Sequence, residues 1–196
     1  EFGFKIIEDA SHAIGGKYQN ELVGNCKFSD ICIFSLHPVK IITTGEGGIA
    51  TTNNKELFRK MMLIRSHGIT KNINEFTDTP AGPWSYEQQM LGFNFRITDI
   101  QCALGLSQLN RLNQIIKSRT KIQTLYKEVL LDLPVKLLSI PKGVKSSFHL
   151  AIVRLENTNI NFHKYIFEYM RQHKIGVQLH YSPVHLQPYY KKLGFK

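Results

Sequence analysis

Lysine becomes a nucleophile only when some of it is neutral, and burial beside apolar surface or a second cation lowers its pKa. The stretch Phe34-Ser35-Leu36-His37-Pro38-Val39-Lys40-Ile41-Ile42-Thr43-Thr44-Gly45-Glu46-Gly47-Gly48 offers such a lysine. An apolar strand runs into Ser35, Lys40 follows, and Ile33, Phe34, Val39, Ile41 and Ile42 are expected to supply the apolar surface. Pro38 disfavours a regular helix at Lys40, and Gly45, Gly47 and Gly48 let backbone pass close to a bound group. The chemistry that suits such a residue is Schiff-base formation with a carbonyl. The same residues also fit a surface lysine in a loop between two strands, since short motifs recur by chance.

A carboxylate lies upstream, in Lys5-Ile6-Ile7-Glu8-Asp9-Ala10-Ser11-His12-Ala13. Ile6 and Ile7 read as the end of a buried strand, which puts Asp9 at its carboxyl end, where open α/β sheets place their ligands. A carboxylate there can pair with a protonated ring nitrogen. Taken singly, Asp9 also reads as a turn carboxylate and Ser35 as an ordinary strand serine. Taken in order, Asp9 with His12, then Ser35, Lys40 and the glycine turn, resemble the pyridoxal-phosphate site of the fold-type I nucleotide-sugar aminotransferases of the DegT/StrS type. The resemblance continues through Tyr86-Glu87-Gln88-Gln89-Met90-Leu91-Gly92-Phe93-Asn94-Phe95-Arg96-Ile97-Thr98-Asp99-Ile100-Gln101 and ends with His180-Tyr181-Ser182-Pro183-Val184-His185.

The resemblance implies a role for each of these residues. Lys40 forms the Schiff base with pyridoxal 5′-phosphate and later shuttles a proton. Asp9 keeps the pyridine nitrogen protonated, Ser35 donates to the cofactor phosphate, and His12 lies near the ring and its phenolic oxygen. His12 stands where many relatives carry glutamine. Asn94 reaches the cofactor phosphate of the neighbouring subunit in a homodimer with shared sites. Arg96, His180, Tyr181 and His185 face the substrate; Arg96 also fits a surface ion pair. No metal is implied. Lysine at position 40 argues for transamination over the dehydratase branch, where similar proteins carry histidine. The run Tyr86 to Leu109 is most similar to the pseudaminic-acid branch, which implies a UDP-linked 4-keto-6-deoxy-N-acetylhexosamine as substrate and glutamate as amino donor, in surface-glycan or flagellin-sugar biosynthesis.

The elements that must position these residues follow from local signals. Lys5 to Ile7, Asp30 to Leu36 and Gly48 to Thr52 read as strands. Asn53 or Asn54 caps a helix with Leu57, Met61 and Ile64 on one face, stopped near Gly68. Residues 69 to 86 read as a long loop with Trp84 and Tyr86 as anchors. Thr98 and Gln101 have the spacing of a capping box, and the helix they open is expected to run to Leu131 with a bend near Lys117. Beyond Leu133, Phe148 to Leu155 alternates as a strand. Asn161 starts a helix with Phe162, Tyr165, Ile166, Tyr169 and Met170 buried; Gly176 ends it, and Val177 to Tyr181 returns as a strand. His149, His163 and His173 read as packing or surface residues. The expected fold is α/β: the second part of a fold-type I large domain over 1–132, with a mostly parallel sheet, and a smaller α+β domain over 133–196.

Composition sets outer bounds. The net charge of +10 is uneven, with 10 basic and 10 acidic residues up to Arg96 and 15 against 5 beyond it. The basic residues are spaced singly through helices, as on a solvated face, and no nucleic-acid motif accompanies them. Such a field still attracts a diphosphate-linked substrate. Three cysteines without metal-ligand spacing read as reduced thiols in the cytoplasm. No stretch is long and apolar enough to span a membrane. The chain opens at Glu1 almost directly in a strand and reads as a fragment, without the turn that would open a helix onto the cofactor phosphate. The rival reading is therefore an inactive truncated chain that does not bind cofactor.

Overall fold

The computed structural model describes residues 2–156 and 159–196. Its elements are β1 (Ile7–Asp9), β2 (Lys17–Tyr18), β3 (Glu21–Leu22), β4 (Ile31–Ser35), β5 (Gly48–Thr51), α1 (Lys55–Arg65), β6 (Ile69–Thr70), β7 (Glu87–Gln88), α2 (Asp99–Asn110), α3 (Leu112–Val129), β8 (Val135–Leu137), β9 (Val144–Lys145), β10 (Val153–Leu155), α4 (Ile160–Gln172) and α5 (Pro188–Lys192). The fold is α/β, in two compact units. One comprises Glu1–Val129 with Leu138–Ala151, the other Leu130–Leu137 with Ile152–Lys196.

In the first unit, β4 is the centre of a three-stranded sheet. β1 runs parallel to it, with Asp9 opposite Ile33, and β5 runs antiparallel, with Ser35 opposite Gly48. Alternation along β4 sends Cys32 and Phe34 into a core with Ala10, while Ile33 points the other way and is partly exposed. Ile6 and Ile7 were expected to be buried. They are 45% and 62% exposed, and among the described residues β1 is an edge strand of its sheet. A second cluster of Leu36, Ile41 and Ile42 packs against Ile14, Leu112 and Ile115, so helix α3 covers the loop after β4.

Local signals act where they were expected. The Asn54 side chain caps α1 by accepting from the amides of Glu56 and Leu57. Leu57, Met61 and Ile64 are half-buried beside buried Leu63. The helix end closes by a bond from the Gly68 amide to the Leu63 carbonyl, and Gly68 takes φ +69°. A Cβ at Gly68 would collide with the Met90 carbonyl, and one at Gly92 with the Gly68 amide. Two backbones touch there, and only glycine permits it. Within the expected loop of 69–86 lie β6 and a 3-10 turn at Ile73–Glu75. Glu75 fastens them: hydrogen bonds from Arg59 and Thr70 hold its carboxyl down at about 2. Trp84 and Tyr86 are 75% and 61% exposed, and the Trp84 ring lies over Gly82 of the same loop.

The capping box at Thr98 and Gln101 forms in full. The helix it opens breaks at Arg111, not near Lys117: Arg111 sits at ψ 0°, ends α2 and passes its carbonyl to Ile115 as α3 begins. The expected strand over Phe148 to Leu155 shrinks to β10. Phe148 takes φ +51°, and the carbonyls of Phe148 and His149 accept from Arg119 instead of a strand partner.

In the second unit β10 pairs antiparallel with β8. Asn159 caps α4; Phe162, Ile166 and Met170 are half-buried, but Tyr165 and Tyr169 are exposed, their rings 6.0 Å apart. Lys174, not Gly176, takes the left-handed stop at φ +59°. Val177 to Tyr181 forms no strand, and the Val177 carbonyl accepts from Arg171. Among the described residues no helix is long and apolar enough to cross a membrane, and the three cysteines are free thiols.

Candidate functional site

Parallel pairing of β1 with β4 brings the ends of two strands together, and four of the expected residues with them. Asp9 ends β1, and Ser11 holds its carboxylate: Oδ1 accepts from the Ser11 hydroxyl at 2.6 Å and from the Ser11 amide at 3.0 Å. These bonds keep the Asp9 carboxyl below the ordinary carboxylate value of 3.8, hydroxyl first and amide second; slight desolvation of this exposed group opposes them, and the positive charges of His12 and Lys40 assist. Lys40 thus lies within electrostatic reach of Asp9.

Ser35 ends β4 half-buried, its hydroxyl oxygen 3.4 Å from the His37 amide. Lys40 sits five residues on, half-buried in a loop with several ties. The Lys40 amide donates to the His37 carbonyl at 2.9 Å. The Leu36 carbonyl accepts from Thr43 Oγ1 at 2.9 Å and from the Thr44 amide at 3.1 Å. Thr44 Oγ1 donates to the Glu46 carbonyl at 2.7 Å, and Gln101, already in the capping box, donates to the same carbonyl at 3.0 Å. Gly45 closes the turn at φ +83°. Leu36, Ile41 and Ile42 anchor the loop from below, each worth about 1.5–3 kcal/mol of burial. The expected apolar residues therefore divide: Ile41 and Ile42 pack with Leu36 under the loop, Phe34 belongs to the other cluster with Ala10 and Cys32, and Val39 is 66% exposed.

His12 is exposed, and its ring centroid lies 4.4 Å from that of His149 at 55°. Asn94 and Arg96 lie on the segment after β7, in the same unit. Arg96 Nε donates to Asn94 Oδ1 at 2.7 Å, so Arg96 pairs with an amide and not with a surface acid. Phe93 and Phe95 stack at 4.6 Å on the other side of that segment. His180, Tyr181 and His185 belong to the second unit; the rings of His180 and Tyr181 lie 4.0 Å apart, and His185 sits in the 3-10 turn Val184–Leu186. Among the described residues no cluster of three or more His, Cys, Asp or Glu could hold a metal.

Four contributors escaped the sequence reading. Ser11 was legible in principle, since Asp-x-Ser is an Asx-turn pattern. Thr43 and Thr44 had only their small size to mark them. His149 had no local signal, because what matters about it is a ring far away in sequence.

In chemical terms the arrangement sets an ionised carboxylate, an amine on a fastened loop and a strand-end hydroxyl in one neighbourhood. We expect Ser11→Ala to raise the Asp9 pKa toward 3.8, read from its carboxyl-carbon NMR titration. Because the folded-state value is depressed, the stabilising contribution of Asp9 is present above pH 3.8 and is lost as pH falls through the folded value. Ser11→Ala narrows that window.

Comparison with known proteins sets these features in a family. The chain is 39% identical to the UDP-4-amino-4,6-dideoxy-N-acetyl-beta-L-altrosamine transaminase of Campylobacter jejuni over 98% of its own length and 49% of the relative's. It is 37% identical to the Helicobacter pylori protein of the same name, over 96% and 48%. The structure of Helicobacter pylori PseC, an aminotransferase involved in pseudoaminic acid biosynthesis, superposes with TM-score 0.87 at 35% identity, covering 97% of this chain and 48% of that one. A putative sugar aminotransferase of Streptococcus pneumoniae, solved in its PMP-form, gives 0.88 at 30% identity over 98% and 49%. The chain spans about half the length of the relatives it matches. The profile of the DegT/DnrJ/EryC1/StrS aminotransferases matches residues 1–196, and to that family this chain belongs.

Proposed function

We propose that the protein carrying this chain is a cytoplasmic, homodimeric aminotransferase. It moves the amino group of glutamate to the 4-keto carbon of a UDP-linked 4-keto-6-deoxy-N-acetylhexosamine, with pyridoxal 5′-phosphate as cofactor. The observation that carries this reading is the meeting of Asp9, fixed and ionised by Ser11, with the Lys40 loop at adjoining strand ends.

The donor set fits the cofactor. A carboxylate held below its usual pKa suits a protonated pyridine nitrogen, a half-buried lysine suits an aldehyde carbon, and a strand-end hydroxyl suits a phosphate oxygen. When bound, pyridoxal phosphate supplies an electron sink. Asp9 keeps the proton on the ring nitrogen. Lys40 would hold the cofactor through Nζ and, as the free amine, would carry the proton to the sugar C4. Ser35 donates to the phosphate and His12 orients the ring from beside its phenolic oxygen. Asn94 of the partner subunit reaches the same phosphate. Arg96, His180, Tyr181 and His185 meet the substrate, and the basic second half of the chain favours its diphosphate.

Two further observations support the dimer and the substrate. Leu91, Phe95 and Ile100 are 88%, 67% and 84% exposed on one run of chain, apolar surface of the kind that another subunit covers. The transaminase name carried by the Campylobacter and Helicobacter relatives points to an aminated UDP-sugar.

The test is borohydride reduction with pyridoxal phosphate followed by peptide mapping, alongside transfer of ¹⁵N from glutamate to the UDP-keto-sugar. The expected result is one cofactor adduct, on Lys40, and labelled aminosugar. A colourless protein with neither adduct nor label transfer would mean that the reading is wrong and that an inactive chain is the better account.

A further inference from the structure

Phe148 is a bulky residue in the left-handed region, at φ +51°, where such side chains are rare and are held only by their surroundings. The surroundings here are specific. The Phe148 amide donates to Ser146 Oγ at 3.0 Å. Ser147, next in line, is 2% exposed. Arg119, from the middle of α3, spreads Nη1 between the carbonyls of Phe148 and His149 at 3.1 and 3.2 Å. A guanidinium placed across two successive carbonyls fixes the direction in which the next side chain leaves the backbone.

That side chain is His149, and its ring lies 4.4 Å from the ring of His12. The Nδ1 edge of His149 is buried, so one side of its imidazole is enclosed by protein while a face meets His12. His12 itself is exposed and stands three residues after Asp9, beyond the end of β1. A second ring at 4.4 Å, tilted by 55°, supplies a shelf.

We propose that His149 is a positioning residue. Held by the strained turn and the Arg119 clamp, it orients the His12 ring at the cofactor end of β1, an inference that rests on the site reading given above. Helix α3, which covers the lysine loop through Leu112 and Ile115, thereby also sets the opposite side of the site through Arg119.

The test reads His12 directly. In wild-type protein without cofactor, the His12 ring protons, assigned by His12→Gln, carry a ring-current shift from His149. His149→Ala abolishes that shift, and His149→Phe, which keeps an aromatic ring, retains one. With pyridoxal phosphate added, His149→Ala weakens binding between about two- and tenfold, and His149→Phe recovers most of the loss. In the His12→Gln background His149→Ala has no further effect, because the ring it positions has gone. An unchanged His12 spectrum in His149→Ala overturns the proposal, and so does an equal loss of affinity with or without His12. Failure of the site reading would look different: wild-type protein would give no Lys40 adduct, while the NMR comparison would still report on the two rings.

Discussion

On the proposed function, Lys40→Ala is expected to abolish amino transfer, lowering the rate of ¹⁵N appearance in the sugar by about 10⁴-fold or more, since one residue would supply both the covalent link and the proton shuttle. The substitution leaves the loop intact. The fastenings are the Lys40 amide, the Thr43 and Thr44 hydroxyls and the buried Leu36, Ile41 and Ile42, none of which involves Nζ. The melting temperature should therefore stay within about 1–2 °C of wild type, the shift expected of a change of at most about 0.5 kcal/mol. Lys40→Arg separates charge from chemistry: it keeps a cation near Asp9 but never loses its proton at workable pH. Equal loss in both variants assigns the effect to a neutral amine. Substantial transfer by Lys40→Arg would place the nucleophile elsewhere.

The largest effect on stability is expected at Gly68→Ala. Two costs add there: the left-handed φ of +69° and a methyl driven into the Met90 carbonyl, whose segment is also pinned through Gly92. Left-handed strain contributes about 1–2 kcal/mol and overpacking about 1–3 kcal/mol, so urea unfolding should show a loss of about 2–5 kcal/mol. Gly45→Ala is the comparison. It has a similar φ, +83°, with nothing within 4 Å of the new methyl, and should lose only the backbone share. Equal losses at the two sites would mean that the contact between the 68 and 90–92 backbones is unimportant. Gly68→Ala should reach the site through Asn94, which follows that contact closely and bridges to Ser66, so that Asn94 and Arg96 shift together.

What was legible in the sequence was what a few neighbouring residues decide. The Asn54 cap, the Thr98 capping box and the β4–β5 pair each depend on side chains within one turn or on simple alternation. The order Asp9, Ser35, Lys40 was read through a family resemblance; only the place of Asp9 at a strand end came from the residues themselves. What escaped reading depends on distant partners. Nothing in Asn110-Arg111-Leu112 announces a helix break, and no glycine or proline marks it. Phe148 to Leu155 alternates well enough for a strand, but Arg119 takes its first carbonyls. Ile6 and Ile7 have a buried composition and an edge position. The Asp9–Ser11 bond was within reach, the His12–His149 contact was not, and the difference is sequence distance alone.

The ties around Lys40 also determine when the loop can open. Its donors and acceptors begin and end on β4 and β5: Leu36 accepts from Thr43 and Thr44, and its amide donates to Gly47, which leads into Gly48 of β5. Separating the loop from the sheet therefore means breaking the pairing of the two strands as well. In hydrogen exchange the amides of Leu36, Lys40 and Thr44 should share one slow opening with the interior of β4, ahead of which the exposed 177–183 segment exchanges freely. The lysine is thus carried on backbone that opens only with the sheet beneath it.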